Sequence, residues 1–107
     1  MGITSYDEVL DELSGGKVVL SVYLKSRGPE VVDYALVLLL DSGGGRETIR
    51  VYDSSHGFNE MHRHTRDGGK QKGVVFSDAT LGEGVRAAKE NIKERYLAMI
   101  DGWKEWR

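Results

Sequence analysis

Residues 17–53 read KVVLSVYLKSRGPEVVDYALVLLLDSGGGRETIRVYD, and this stretch decides the fold class. Val18, Leu20, Val22 and Leu24 alternate with Val19, Ser21, Tyr23 and Lys25, which places the first set on one face of an extended strand. Ser26, Arg27, Gly28 and Pro29 supply a turn. The strand expected over 31–40 is apolar on both sides: Leu36, Leu38 and Leu40 on one, Ala35, Val37 and Leu39 on the other. Such a strand belongs in the middle of a sheet, or has its second face in a dimer contact. Glycines at 43, 44 and 45 make the next turn. Over 46–53, Ile49 and Val51 alternate with Thr48, Arg50 and Tyr52, so the former are expected to share a face. Three strands in sequence, joined by short turns, imply an antiparallel meander.

Downstream, 54–59 reads as a loop and 60–66 as a fourth strand. A turn at Asp67, Gly68 and Gly69 leads into a last strand over 72–77. The C-terminal segment carries Leu81, Val85, Ala88, Ile92, Tyr96, Met99, Trp103 and Trp106 three or four residues apart. That period draws one apolar stripe along a helix, suited to lying on a sheet face. Thr80 and Glu83 have capping-box spacing at its start. Upstream, Ser5 and Glu8 repeat that spacing. Tyr6, Val9, Leu10 and Leu13 follow at helical intervals before Gly15 and Gly16, which predicts a short N-terminal helix. The expected class is therefore α+β: an antiparallel β-meander of four to five strands, a short N-terminal helix, and a long C-terminal amphipathic helix packed on one face. All of it forms a single domain over 1–107.

Bulk properties narrow the function. The 107 residues fit one domain with a thin core. Cysteine is absent, so disulfides, thiolate metal sites and cysteine nucleophiles are excluded. The early acids Asp7, Glu8, Asp11 and Glu12 do not suit a signal peptide, and a cytoplasmic location with no membrane partner is expected. Net charge is −2, unevenly placed: acids dominate before residue 46, while 46–72 carries six bases against four acids and all three histidines. No phosphate-binding P-loop is present. Gly82 and Gly84 lack the third glycine of a dinucleotide fingerprint, and Ser54 and Ser55 lack a nucleophile elbow.

The chemistry is expected between Asp53 and Arg66. On a strand, His62 and His64 share a face, and a loop containing Gly57 would bring His56 and Asp53 toward them. Three readings stand. The histidines act as an acid/base pair, of the kind needed for attack of an RNA 2′-hydroxyl on its phosphate, with Asp53 orienting an imidazole. In that reading Arg50, Tyr52, Arg63 and Arg66 contact substrate. Alternatively, His62, His64 and His56 or Asp53 ligate zinc or nickel. In the third reading they are surface histidines with no joint role.

The segment from about residue 31 to 100 also resembles the small toxin-like proteins of the TumE type. The resemblance rests on Tyr52, Asp53, His56, His62 and His64 following a few antiparallel strands and preceding an amphipathic C-terminal segment. Three features depart from that pattern: Val51 stands where it has arginine, Ser54-Ser55 replaces its asparagine-alanine-proline stretch, and the expected N-terminal helix is not part of it. The resemblance implies the toxin of a toxin–antitoxin pair, with an antitoxin partner and RNA as substrate. The function expected on this basis is a metal-independent endoribonuclease using His56, His62, His64 and Asp53. The alternatives are a non-catalytic homodimerising interaction module and a small histidine-based metal-binding domain.

Overall fold

A computed structural model describes residues 1–105. Seven strands and one helix follow in order: β1 (Gly2–Leu13), β2 (Gly16–Arg27), β3 (Glu30–Asp41), β4 (Arg46–Asp53), β5 (Asn59–Thr65), β6 (Gly69–Lys70), β7 (Val74–Ser77) and α1 (Leu81–Glu105). β1 to β5 pair with their sequence neighbours, all antiparallel, and both β6 and β7 pair with β5. The expected meander and C-terminal helix are present. The α+β class holds, with more strands than expected.

The N-terminal helix is not. Residues 2–13 form β1, an edge strand zipped to β2 from Gly2↔Ser26 to Leu13↔Gly16. The helical spacing of Tyr6, Leu10 and Leu13 has a different origin. The register slips between Val9 and Asp11, so a bulge shifts the alternation by one residue midway. A strand with one bulge thus imitates the spacing of a helix. Tertiary contacts hold it along α1: Tyr6 Oη lies 3.1 Å from Lys89 Nζ, Glu8 lies 3.4 Å from Lys93, and Tyr96 Oη donates to Asp11 at 2.8 Å.

The core lies between the sheet and α1. Val18, Leu20, Val22, Tyr34, Leu36, Leu38, Ile49 and Tyr52 meet Val85, Ala88, Ile92, Met99, Ile100 and Trp103. The apolar stripe expected on the helix is the buried one. Trp103 is 7% exposed, which leaves it in the core, and Trp106 lies outside the described residues. Thr80 caps the helix as expected, its hydroxyl accepting from the Glu83 amide at 3.2 Å. The expected pairing of Ile49 with Val51 is overturned by a second bulge. The register slips opposite Leu38 and Leu39, sending Ile49 into the core while Val51, facing Val37, lies on the other side of the sheet.

Candidate functional site

The site is built on neighbouring strands β4 and β5, on the sheet face opposite α1. Their register sets Asp53 against Glu60, Val51 against His62, Tyr52 against Met61, and Arg50 against Arg63. Alternation then sorts the side chains. Tyr52 points toward the helix, where its hydroxyl accepts from Asn91 at 2.6 Å. Asp53, Glu60 and His62 therefore point the other way. Their ligand atoms all lie within 4.8 Å of one another. Glu60 is 8% exposed and His62 6%.

Residues 54–58 return His56 to this cluster. Gly57 takes φ +87°, a conformation strained for other residues, and its amide donates to the Ser54 carbonyl at 2.8 Å. Ser54 is anchored in turn: its amide donates to the Tyr34 carbonyl, and its hydroxyl accepts from the Tyr34 amide and donates to Asp33. The result is that His56 Nδ1 lies 2.8 Å from Glu60 Oε1, while His62 Nε2 approaches the same oxygen at 2.9 Å. His56 stays largely open to solvent, with Phe58 beside its ring.

His62 is fixed from behind. Its Nδ1 lies 3.1 Å from the Gln71 carbonyl, which accepts only, so Nδ1 carries a proton. Nε2 then faces a carboxylate oxygen, and two lone pairs at 2.9 Å require a proton or another cation between them. The break between β6 and β7 makes this arrangement. Residues 71–73 lie between the two short strands; the Gln71 amide still donates to the Arg63 carbonyl at 2.8 Å, while its own carbonyl turns to His62. A Cβ on Gly73 would sit 2.6 Å from both Glu60 Cδ and His62 Cε1. Any larger residue there would have to displace the Glu60 or His62 side chain.

Electrostatics follow the contacts. Its hydrogen bond from His56, then that from His62, holds the Glu60 carboxyl below its ordinary value against the opposing effect of burial. Glu60 is a carboxylate at neutral pH. His64 shares the face of Glu60 and His62 by alternation but does not join them. Its Nε2 is buried with no hydrogen-bond partner among the described residues, and burial, then the charges of Lys70 and His62, lowers its pKa. Tyr34, beneath the site, is pushed up by burial and by the Asp53 charge, so its phenol stays protonated and donates to Asn59 Oδ1 at 2.7 Å.

Of the expected residues, the structure brings together Asp53, His56 and His62. His64 is near in sequence but lies outside the hydrogen-bonded group. Arg50, Tyr52 and Arg63 lie on the helix side of the sheet; Arg63 extends toward Gly102, and the Arg66 amide donates to the Trp103 carbonyl. The residue that sequence reasoning missed is Glu60, the centre of the arrangement. Its signal was available: Glu60, His62 and His64 occupy alternate positions of one strand. The Gln71 carbonyl and Gly73 had no such signal, because only the break in the last strand brings them to His62.

Compared with known proteins, the chain matches no protein-family model, no curated protein and no solved structure.

Proposed function

We propose that this protein binds a divalent transition-metal ion, zinc or nickel, through Asp53, Glu60 and His62, with the solvent-exposed His56 as a fourth ligand. The observation that carries the reading is the convergence of His62 Nε2 on Glu60 Oε1 while Nδ1 is held by a backbone carbonyl. A metal-ligating imidazole is commonly oriented by such a bond from its second nitrogen to a carbonyl or carboxylate. Two nitrogens and two carboxylates form a donor set that zinc and nickel accept. Glu60 at neutral pH needs no deprotonation to serve. The structure also weakens the need for a metal-free mechanism. Arg50 and Arg63, two of the arginines expected to contact substrate, lie on the helix side, while two carboxylates stand beside His62. A bound cation reverses that local charge. Protein purified without a histidine tag is expected to carry, or take up, one zinc ion per chain by elemental analysis. Folded His62→Ala protein is expected to carry none. Metal-free protein that takes up no zinc at micromolar concentration removes the reading.

A second reading has its own support. His56 is oriented through Nδ1 by a carboxylate and keeps Nε2 outward, the arrangement of a general acid or base. Together with the resemblance to TumE-type proteins, this supports a toxin of a toxin–antitoxin pair that cleaves RNA by acid/base catalysis without metal. Growth inhibition on expression, relieved in folded His56→Ala protein and unaffected by chelator, would favour this reading over the first.

A further inference from the structure

Among the described residues, nothing covers the sheet face turned away from α1, yet it is not the polar face of an ordinary two-layer domain. Register aligns its residues in rows across the strands. One row runs Ser5, Tyr23, Ala35, Asp53, Glu60, and the next runs Asp7, Ser21, Val37, Val51, His62. Beside them Val9, Val19 and Leu39 form a third. An antiparallel sheet with one wet face alternates apolar-in with polar-out. Here the outward positions of β3 are Ala35, Val37 and Leu39, flanked by Tyr23, Val19 and Val51. Val19 is already 4% exposed, and the other five are half-buried.

We infer that this face packs against the same face of a second copy of the chain, forming a two-sheet sandwich with α1 on each outer side. Three observations select a second copy. First, size: five strands about 4.8 Å apart, over some seven residues of about 3.4 Å rise, present about 600 Å² per copy. A standard interface uses about 800 Å² per partner, so the area suits a reversible dimer at the low end of that class. Second, charge: a net charge of −2 offers little repulsion between copies. Third, the charged groups on the face are matched within the chain. Arg46 bonds Asp7 and Asp41 at 3.1 Å each, Glu60 lies within hydrogen-bond distance of His56 and His62, and Asp53 accepts from the Ser55 amide and hydroxyl. A partner therefore meets polar groups that already have hydrogen-bond partners, and an apolar copy of the same surface complements Ala35, Val37 and Leu39 at its centre. The isologous symmetry of such a pair is the commonest among soluble oligomers.

This inference does not depend on the metal reading, although the two meet in space, since Val51 sits against His62 in the register. The test is sedimentation velocity of the untagged protein over a wide concentration range, with a cross-linking control. The expected result is reversible growth from one to two chain masses. Val37→Asp, which places a charge at the centre of the face and leaves the helix side untouched, is expected to stay monomeric with an unchanged circular dichroism spectrum. The chain has no cysteine, so a single introduced thiol reports position cleanly. A short bis-maleimide is expected to join Val37→Cys chains in pairs and to leave Glu94→Cys, on the exposed side of α1, unjoined. A monomer at every concentration, or equal cross-linking of both cysteine variants, overturns the inference, whether or not the protein binds zinc.

Discussion

Glu60 is the residue on which the site turns. One oxygen of its carboxylate meets two imidazoles, and the strand that carries it places His62 two residues on. Replacing it with glutamine keeps the size but substitutes a weaker ligand with donor protons of its own. Glu60→Gln is therefore expected to weaken zinc binding at least tenfold, a loss of about 1.4 kcal/mol or more, in a competition titration against a chromophoric chelator. His64 makes a separate, pH-dependent prediction. Its pKa is lowered in the folded protein, so the unfolded chain binds the proton more readily. Stability is then lost as pH falls below about 6.5, the ordinary imidazole value. Glu60 acts in the same direction at lower pH, because its carboxyl is depressed and its contribution disappears as it protonates. Thermal melts of the wild type should fall between pH 7 and pH 5, and His64→Gln should flatten that fall.

At the scale of elements, the junction between β5 and α1 holds the site strand in place. Asn59, 1% exposed, accepts from Tyr34 Oη and donates to the carbonyls of Ala79 and Thr80 at the helix start. Gly84 lies against its amide, where a Cβ would overlap Asn59 Oδ1. Asn59→Ala leaves a cavity and an unpaired buried phenol, and is expected to cost about 2–4 kcal/mol in denaturant unfolding. Gly84→Ala should also destabilise in the wild type. In the Asn59→Ala background the overlap is gone, and the same change should be neutral or stabilising by up to about 1 kcal/mol through helix propensity. Additive effects would contradict the contact. These elements also show what the sequence could and could not reveal. The period-two runs of β2 and β3 and the stripe of α1 were legible, because burial on one face imposes a regular spacing. β1 was not, since its bulge at Leu10 converts an alternating pattern into one resembling a helix, and pairing with β2 from Gly16 to Ser26 overrides the local capping signal. Ile49 was misplaced for the same kind of reason.

For the whole molecule, the sheet is a support with two different faces. One is sealed by α1, and Leu38, fully buried beneath it, should cost about 2–5 kcal/mol when replaced by alanine. The other carries the site at its β4–β5 margin. This division explains why the histidine cluster was readable only in part. Asp53, His56 and His62 were legible as a group because they are close in sequence. Which arginines accompany them depends on strand parity, and parity sends Arg50 and Arg63 to the helix side. Among the described residues, no helix is long and apolar enough to cross a membrane. The central claim is that Asp53, Glu60 and His62 form one cation site, and calorimetric titration of untagged protein with zinc at neutral pH tests it most directly. The account predicts saturation at one ion per chain, with that heat abolished in folded His62→Ala protein. Absence of saturable heat in the wild type, or the same heat in the variant, would contradict it.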